Sequence, residues 1–124
     1  MKKISPTQRS LAHLRAEGWE VCKVEQRLPI PGKFVTKDAF NFGDLLACHP
    51  EHKPSLIQVT SGSNVSSRIA KAKLHAGPLI IWLLSGGELL IHGWRKVGPR
   101  GSQKTWQLRE IPLTLKDLNA VEVA

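Results

Sequence analysis

The sequence predicts a single α/β (α+β) domain in which helices flank a mixed β-sheet. Its 124 residues suit one domain. Apolar residues make up 41% of the chain, which is enough to bury a hydrophobic core. Two helical patterns alternate with runs of strand patterns. A strand that returns to the sheet through a helix implies a parallel pair, and short turns imply antiparallel pairs.

The first helix is predicted to begin after Ser5 and to end at Gly18. Ser5 is a suitable N-cap, and Pro6 suits the first helical position because no intrahelical acceptor is available to an N–H there. Leu11 and Leu14 form its apolar stripe. A second helix is predicted from Val65 to His75.

Apolar runs and alternation predict six strands, with turn residues between them. The predicted strands cover residues 19–24, 44–48, 55–60, 79–84, 88–94 and 105–111. The second and third should form a hairpin, and Gly86-Gly87 predicts a hairpin turn before the fifth. The Pro- and Gly-containing stretch 27–37 is predicted to be an irregular basic loop. The domain core should span about residues 5–111, with 112–124 as a C-terminal tail.

The chain is strongly basic, which favours a polyanionic partner. Its 18 Lys and Arg residues against 10 Asp and Glu residues give a net charge of +8, and the segment 65–110 contributes +6 of this. Basic side chains neutralise phosphates, and Trp94 and Trp106 flank the Arg- and Lys-rich loop as candidates for stacking. The residues expected to bind nucleic acid are Ser61, Ser63, Asn64, Arg68, Lys71, Lys73, Arg95, Lys96, Arg100 and Lys104.

Several classes of protein are disfavoured by the sequence. The longest apolar run, residues 78–84, is far short of the roughly 20 residues of a membrane-spanning helix. No apolar segment typical of a signal peptide follows Lys2 and Lys3. Two cysteines, Cys22 and Cys48, do not make a disulfide scaffold. We therefore expect a cytoplasmic protein with no membrane partner.

Oxygen-bearing side chains lie in two neighbouring predicted strands. Asp44 begins an apolar strand, while Gln58 and Thr60 lie in the next strand and share one face because they are two residues apart. A polar residue in a buried strand needs a partner or a ligand. Carboxylate and amide oxygens are ligands that suit Mg²⁺. The alternative interpretation is that Asp44 only caps a turn and that Gln58 and Thr60 lie on a less buried strand face.

The order of these elements and three short segments resemble the PD-(D/E)xK nuclease superfamily. The segments are Asp38-Ala-Phe-Asn-Phe-Gly-Asp44, Gln58-Val-Thr-Ser-Gly-Ser-Asn64 and His92-Gly-Trp-Arg-Lys96. More narrowly, they are similar to small phage and prophage proteins placed in that superfamily. The resemblance covers residues 5–111 and implies a restriction-endonuclease-like αβββαβ core with additional C-terminal strands.

The resemblance also implies a site. Asp44 matches the metal-binding Asp, Gln58 takes the (D/E) position and Thr60 takes the Lys position, so two of the three residues depart from the family pattern. Lys37 and Lys71 are candidates to replace the lysine that Thr60 does not supply. Glu25 and Asp38 are candidates to supply the negative charge that Gln58 lacks. The implied cofactor is Mg²⁺ or Mn²⁺, held by Asp44, Gln58 and the Val59 carbonyl.

The implied activity is metal-dependent hydrolysis of DNA phosphodiester bonds in a host cytoplasm. Branched or structured DNA is among the candidate substrates, and a homodimer is a candidate assembly. Two alternatives stay open. One is a nuclease fold that has lost catalysis and only binds DNA. The other is a protein-interaction domain whose positive charge serves solubility or an acidic partner.

Overall fold

The computed structural model describes residues 3–118. In chain order its helices are α1 (Pro6–Ala16), α2 (Val65–Leu74) and α3 (Ala76–Leu84), with a single-turn 3₁₀ helix at Gly62–Asn64. Its strands are β1 (Glu20–Lys23), β2 (Gln26–Ile30), β3 (Lys33–Lys37), β4 (Leu45–His49), β5 (His52–Ser61), β6 (Glu88–Val97) and β7 (Thr105–Leu113).

Five strands form one sheet in the order β1-β4-β5-β6-β7. The β5–β6 pair is parallel, and the other three pairs are antiparallel. α1 packs on one face, while α2 and α3 pack on the other. The predicted α/β domain with a mixed sheet flanked by helices is therefore confirmed.

Two apolar cores lie on opposite faces of this sheet. The core under α1 contains Leu14, Val21, Leu45, Ala47, Ile57, Val59, Leu90 and Trp94. The core under α2 and α3 contains Phe42, Leu56, Val65, Ala72, Leu79, Leu89, Ile91, Leu113 and Leu118. Strand residues alternate between the cores, as the two-residue period of a strand requires.

The ends of α1 agree with the prediction. The Ser5 hydroxyl accepts a hydrogen bond from the Gln8 N–H at 3.2 Å, and the Gln8 side chain accepts one from the Ser5 N–H at 3.0 Å. This reciprocal pair satisfies two N–H groups that the helix leaves free. Gly18 adopts φ +90 just beyond the helix, a conformation that glycine reaches at no steric cost.

The strand predicted over 79–84 is wrong, because these residues lie in α3. A short apolar run has no period that separates a strand from a helix. Pro78 lies in the first turn of α3, where a missing N–H costs nothing. The hairpin turn predicted at Gly86-Gly87 is wrong as well, because these glycines end the crossover to β6, which pairs in parallel with β5.

The basic loop predicted over 27–37 is a separate two-stranded hairpin of β2 and β3. Its turn contains Gly32 at φ +82. Pro29 is compatible with β2 because a two-stranded ribbon leaves one edge of each strand without a ladder.

The core also extends further along the chain than the predicted boundary at residue 111. β7 continues through Pro112, which an edge strand tolerates, to Leu113. Leu113 and Leu118 are both buried in the core under α2 and α3. Residues 119–124 of the predicted tail lie outside the described residues. Between residues 3 and 118, no helix combines the length and apolarity needed to span a membrane.

Candidate functional site

Three carboxylates converge where β4 begins. Oxygen atoms of Glu25, Asp38 and Asp44 all lie within 4.8 Å of one another. Asp44 is buried, with 9% of its surface exposed, while Asp38 is half-buried and Glu25 is exposed. The cluster therefore has one inner carboxylate and two that face outward.

Backbone pairing brings Glu25 and Asp44 together. The Asp44 N–H donates to the Ile57 carbonyl at 2.8 Å, which fixes Asp44 beside β5. On its other side, the Val24 N–H donates to the Asp44 carbonyl at 3.0 Å. Because Glu25 directly follows Val24, its side chain emerges next to the Asp44 carboxylate.

A tight loop brings Asp38 to the same place. Ala39 and Gly43 pair with each other through two backbone hydrogen bonds, at 2.9 and 3.0 Å, and so close the loop between Asp38 and Asp44. Phe40 and Asn41 both adopt left-handed conformations, with φ of 54 and 57. Residues other than glycine rarely do so, and such strain concentrates at functional sites. A Cβ on Gly43 would lie 2.3 Å from Leu56 Cδ1, so any other residue there would force the Leu56 side chain to shift.

Two donors from β5 hold the inner carboxylate. Asp44 Oδ2 accepts hydrogen bonds from the Val59 N–H at 2.8 Å and from the Gln58 amide at 3.0 Å. Burial nevertheless raises the pKa of Asp44 from its ordinary value of 3.8 to about 7. The negative charges of Asp38 and Glu25 act in the same direction, while the Val59 hydrogen bond opposes them. A positive charge at this point would relieve both the burial and the repulsion.

The predicted site residues of β5 lie together, with a different cation beside them. Gln58 and Thr60 are buried on the face of the sheet that α2 covers. The Thr60 hydroxyl accepts a long hydrogen bond, 3.5 Å, from the Arg68 guanidinium. Lys71 is half-buried three residues further along α2. Lys37 lies at the end of β3 and lines a small surface cavity with Asp38. Arg68, which the sequence suggested only as a nucleic-acid contact, is thus the cation that contacts Thr60.

The donor set fits a hard divalent cation. Mg²⁺ and Mn²⁺ prefer oxygen ligands, and Mg²⁺ commonly takes one or two carboxylates with water and substrate phosphate. Glu25, Asp38 and Asp44 each offer a carboxylate oxygen within one small volume. Gln58 donates its side-chain N–H to Asp44, and Val59 donates its backbone N–H. Through these contacts both residues therefore present an N–H group to Asp44, and not the amide or carbonyl oxygen predicted to bind metal.

The serine-rich turn before α2 forms its own hydrogen-bonded cluster. Ser61 Oγ lies 3.2 Å from Ser63 Oγ and accepts a hydrogen bond from the Asn64 amide at 3.0 Å. Asn64 occupies the N-cap position, but its side chain does not bond to the helix N–H groups. The positive end of α2 therefore has no side-chain cap.

The predicted basic residues divide between the two faces of the sheet. Arg95 packs beside Gly62 on the α2 face, the face of Gln58 and Thr60, and Arg68, Lys71 and Lys73 lie on α2 itself. Lys96 points to the α1 face, where its ammonium lies 5.3 Å from the Trp106 ring. Arg100 and Lys104 lie in the exposed loop between β6 and β7.

A buried polar network on the α1 face gave no signal in the sequence. Ser10 Oγ lies 2.9 Å from His92 Nδ1 and accepts a hydrogen bond from the Trp94 indole at 2.8 Å. His92 Nε2 lies 2.8 Å from Glu110, and this bond lowers the pKa of Glu110 below its ordinary value. Ser10 and His92 are wholly buried, so no substrate reaches the serine and the network serves the structure.

No protein-family model matches the chain, and neither a curated protein nor a solved structure shows significant similarity to it.

Proposed function

We propose that the protein is a metal-dependent DNA endonuclease that hydrolyses phosphodiester bonds, with branched or structured DNA as its candidate substrate. The observation that carries this proposal is the meeting of the Glu25, Asp38 and Asp44 carboxylates beside Gln58 and Thr60. These residues come from three segments of the chain, namely Glu25 after β1, the loop from Asp38 to Asp44, and β5. A buried carboxyl with raised pKa in such a cluster is typical of a functional site.

Mg²⁺ or Mn²⁺ would be held by Asp44 with Glu25 and Asp38, and it would supply Lewis-acid stabilisation of the scissile phosphate and a more acidic bound water. The chain's own residues would then position the reactants. The Val59 N–H and the Gln58 amide fix the orientation of the Asp44 carboxylate. Arg68, which donates to the hydroxyl of Thr60 at the family's Lys position, would offer its guanidinium to a phosphate.

The fold and the charge distribution support the same proposal. Setting aside the β2–β3 hairpin, the order α1-β1-β4-β5-α2-β6 agrees with the αβββαβ core that the resemblance implies, interrupted only by α3. Arg68 and Arg95 lie on the same face of the sheet as Gln58 and Thr60. A DNA backbone that reaches the carboxylates would therefore meet these two guanidinium groups.

The second candidate is a DNA-binding module without catalysis. Two observations favour it: Thr60 contacts an arginine instead of supplying a lysine, and Gln58 donates to Asp44. An arginine retains its charge and cannot act as a general base at ordinary pH. In this alternative the basic surface still binds DNA, and the carboxylate cluster has only a structural role.

The deciding experiment incubates the chain with supercoiled, linear, single-stranded and four-way-junction DNA, each with Mg²⁺, Mn²⁺ or EDTA. Asp44→Asn removes the charge of the inner carboxylate but keeps an oxygen for the Val59 N–H. Glu51→Gln is the matched control, because Glu51 is exposed in the β4–β5 turn.

A nuclease cleaves at least one substrate with a divalent cation, loses cleavage with Asp44→Asn and keeps it with Glu51→Gln. Salt-sensitive DNA binding without cleavage, unchanged by Asp44→Asn, identifies the binding module. If the chain binds no DNA at low salt, both candidates are wrong and the interaction domain becomes the best explanation.

A further inference from the structure

The outer side of α3 is an apolar surface with no partner among the described residues. Pro78, Ile81 and Leu84 recur at three-residue spacing and so form an apolar stripe along one side of the helix. The exposed fractions of Ile81 and Leu84 are 66% and 70%, and Leu74, just before α3, reaches 82%. α3 contains no charged residue. These side chains together present several hundred Å² of apolar surface, which is as large as the patches that mark interaction sites on monomers.

A second apolar surface lies on the same side of the sheet. α2 and α3 pack mainly over β5 and β6, so β1 and β4 lie beside them without a covering helix. A groove of about 440 Å³ runs there, with Trp82 of α3 as one wall. Its other lining residues come from the strands and the turn region: Glu20, Val21, Cys22, Leu46, Ala47, Cys48 and Pro54. Glu20 is the single charged residue among them.

The two surfaces complement each other in kind. The sheet face over β1 and β4 lacks a helix, and the outer side of α3 lacks a surface to pack on. α3 cannot turn over to fill the groove of its own chain, because Leu79 on its inner side is fully buried in the core. The outer side of α3 can therefore meet such a groove only on another molecule.

We propose that a second copy of this chain covers both surfaces, with α3 of each copy packed on the β1–β4 face of the other. In such a two-fold dimer each chain contributes the stripe once and the groove once. The contact is made twice, which brings the buried area toward the roughly 800 Å² per partner of a stable interface. Each copy carries a net charge of +8, but the stripe and the groove contain almost no charge, so repulsion there is small.

Other occupants fit these surfaces less well. A nucleic acid gains little from a surface without basic residues. A helix that lies on a membrane usually carries Lys and Arg on its polar side, and α3 has neither. The second copy is available at the same concentration as the first and has both complementary surfaces.

The test measures the mass and the thiol reactivity of the full chain. Ile81→Glu places a carboxylate in the stripe, and Cys22→Glu places one in the groove, both at exposed positions that the fold tolerates. Leu28→Glu is the matched control, because Leu28 is also exposed, at 41%, but lies in the β2–β3 hairpin. Cys22 and Cys48 are the chain's two cysteines and both line the groove, so Ellman's reagent reports directly on its accessibility.

The wild-type chain and Leu28→Glu should sediment at twice the 13.7 kDa chain mass. Ile81→Glu and Cys22→Glu should raise the dissociation constant by about 100-fold or more, because an unpaired charge would be buried. At equal concentration, the thiols of Ile81→Glu should react several-fold faster than those of the wild type. Circular dichroism confirms that each variant is folded.

Several outcomes would overturn the proposal. One is a wild-type chain that stays monomeric at millimolar concentration, and another is a dimer that Ile81→Glu and Cys22→Glu leave intact. Wild-type thiols that react as fast as those of Ile81→Glu would also contradict it. A monomer whose thiols become reactive only when residues 119–124 are deleted would assign the groove to that segment, and co-sedimentation with phosphatidylcholine vesicles would assign the stripe to lipid.

Discussion

The Gln58 side-chain amide donates a hydrogen bond to the Asp44 carboxylate across 3.0 Å. In the nuclease pattern that the sequence resembles, a second carboxylate stands at the Gln58 position. Here the Gln58 amide carries no charge, and it satisfies one lone pair of the Asp44 carboxylate. The further negative charge comes from Glu25 and Asp38. The cluster therefore keeps three carboxylates while one of its members is held by a neutral donor.

The first prediction concerns pH. The pKa of Asp44 is raised to about 7 in the folded chain and is close to 3.8 when unfolded, so the folded state binds the proton more tightly. Its contribution to stability is fully present below about pH 4 and is lost as the pH rises through 7. This amounts to roughly 4 kcal/mol without metal, at 1.36 kcal/mol per pKa unit. Urea unfolding in EDTA between pH 4 and 8 measures it.

Asp44→Asn isolates that effect. The difference in unfolding free energy between variant and wild type should change with pH, because the contributions of the other titrating groups cancel in that difference. Mg²⁺ should raise the melting temperature of the wild type more at pH 8 than at pH 5.5, since a cation competes with the proton. A pH-independent difference, or a Mg²⁺ effect that is larger at pH 5.5, would contradict the assigned environment of Asp44.

The second prediction places a carboxylate at position 58. Gln58→Glu replaces a donor to Asp44 with a fourth negative charge in the cluster. Without metal the variant should lose about 1–3 kcal/mol of stability, because a buried hydrogen bond becomes a repulsion. With metal it should bind Mn²⁺ more tightly, since a carboxylate offers more charge than an amide. Urea unfolding and isothermal titration calorimetry measure the two effects, with Gln103→Glu in the exposed β6–β7 loop as the control. Unchanged Mn²⁺ affinity would place Gln58 outside any metal site.

Local signals in the sequence predicted part of this structure and could not predict the rest. The capping residues of α1 and the strand patterns of β4 to β7 depend on near neighbours, so they can be recognised directly. Residue type and order suggest Asp44 and Gln58, whereas Glu25 and Asp38 follow only from the family resemblance. The apolar run of α3 has no distinguishing period. The Arg68–Thr60 contact depends on the rotation of α2 over the sheet, and the pairing of Ser10 with His92 joins residues that are 82 positions apart.

The third prediction tests the buried network. Ser10→Ala removes the acceptor of the Trp94 indole and the partner of His92 Nδ1, so it leaves two buried polar groups unsatisfied. The loss of stability should be about 1–3 kcal/mol for each group left unpaired. Ser66→Ala, exposed on α2, should change stability by less than about 0.5 kcal/mol. If Ser10→Ala were neutral in stability but abolished an enzymatic activity, the network would be catalytic and its assignment here as structural would be wrong.

The fourth prediction separates the two basic faces. Arg68 and Arg95 lie on the face of Gln58 and Thr60, whereas Lys96 lies beside Trp106 on the opposite face. If DNA approaches the carboxylate cluster, Arg68→Gln and Arg95→Gln should each weaken binding and reduce the slope of log affinity against log salt by about one. Lys96→Gln should have a smaller effect on both quantities. Fluorescence anisotropy with a labelled junction, titrated at several salt concentrations, measures them. A larger effect of Lys96→Gln would place the DNA on the Trp106 face, away from the carboxylates, and would favour the binding module over the nuclease.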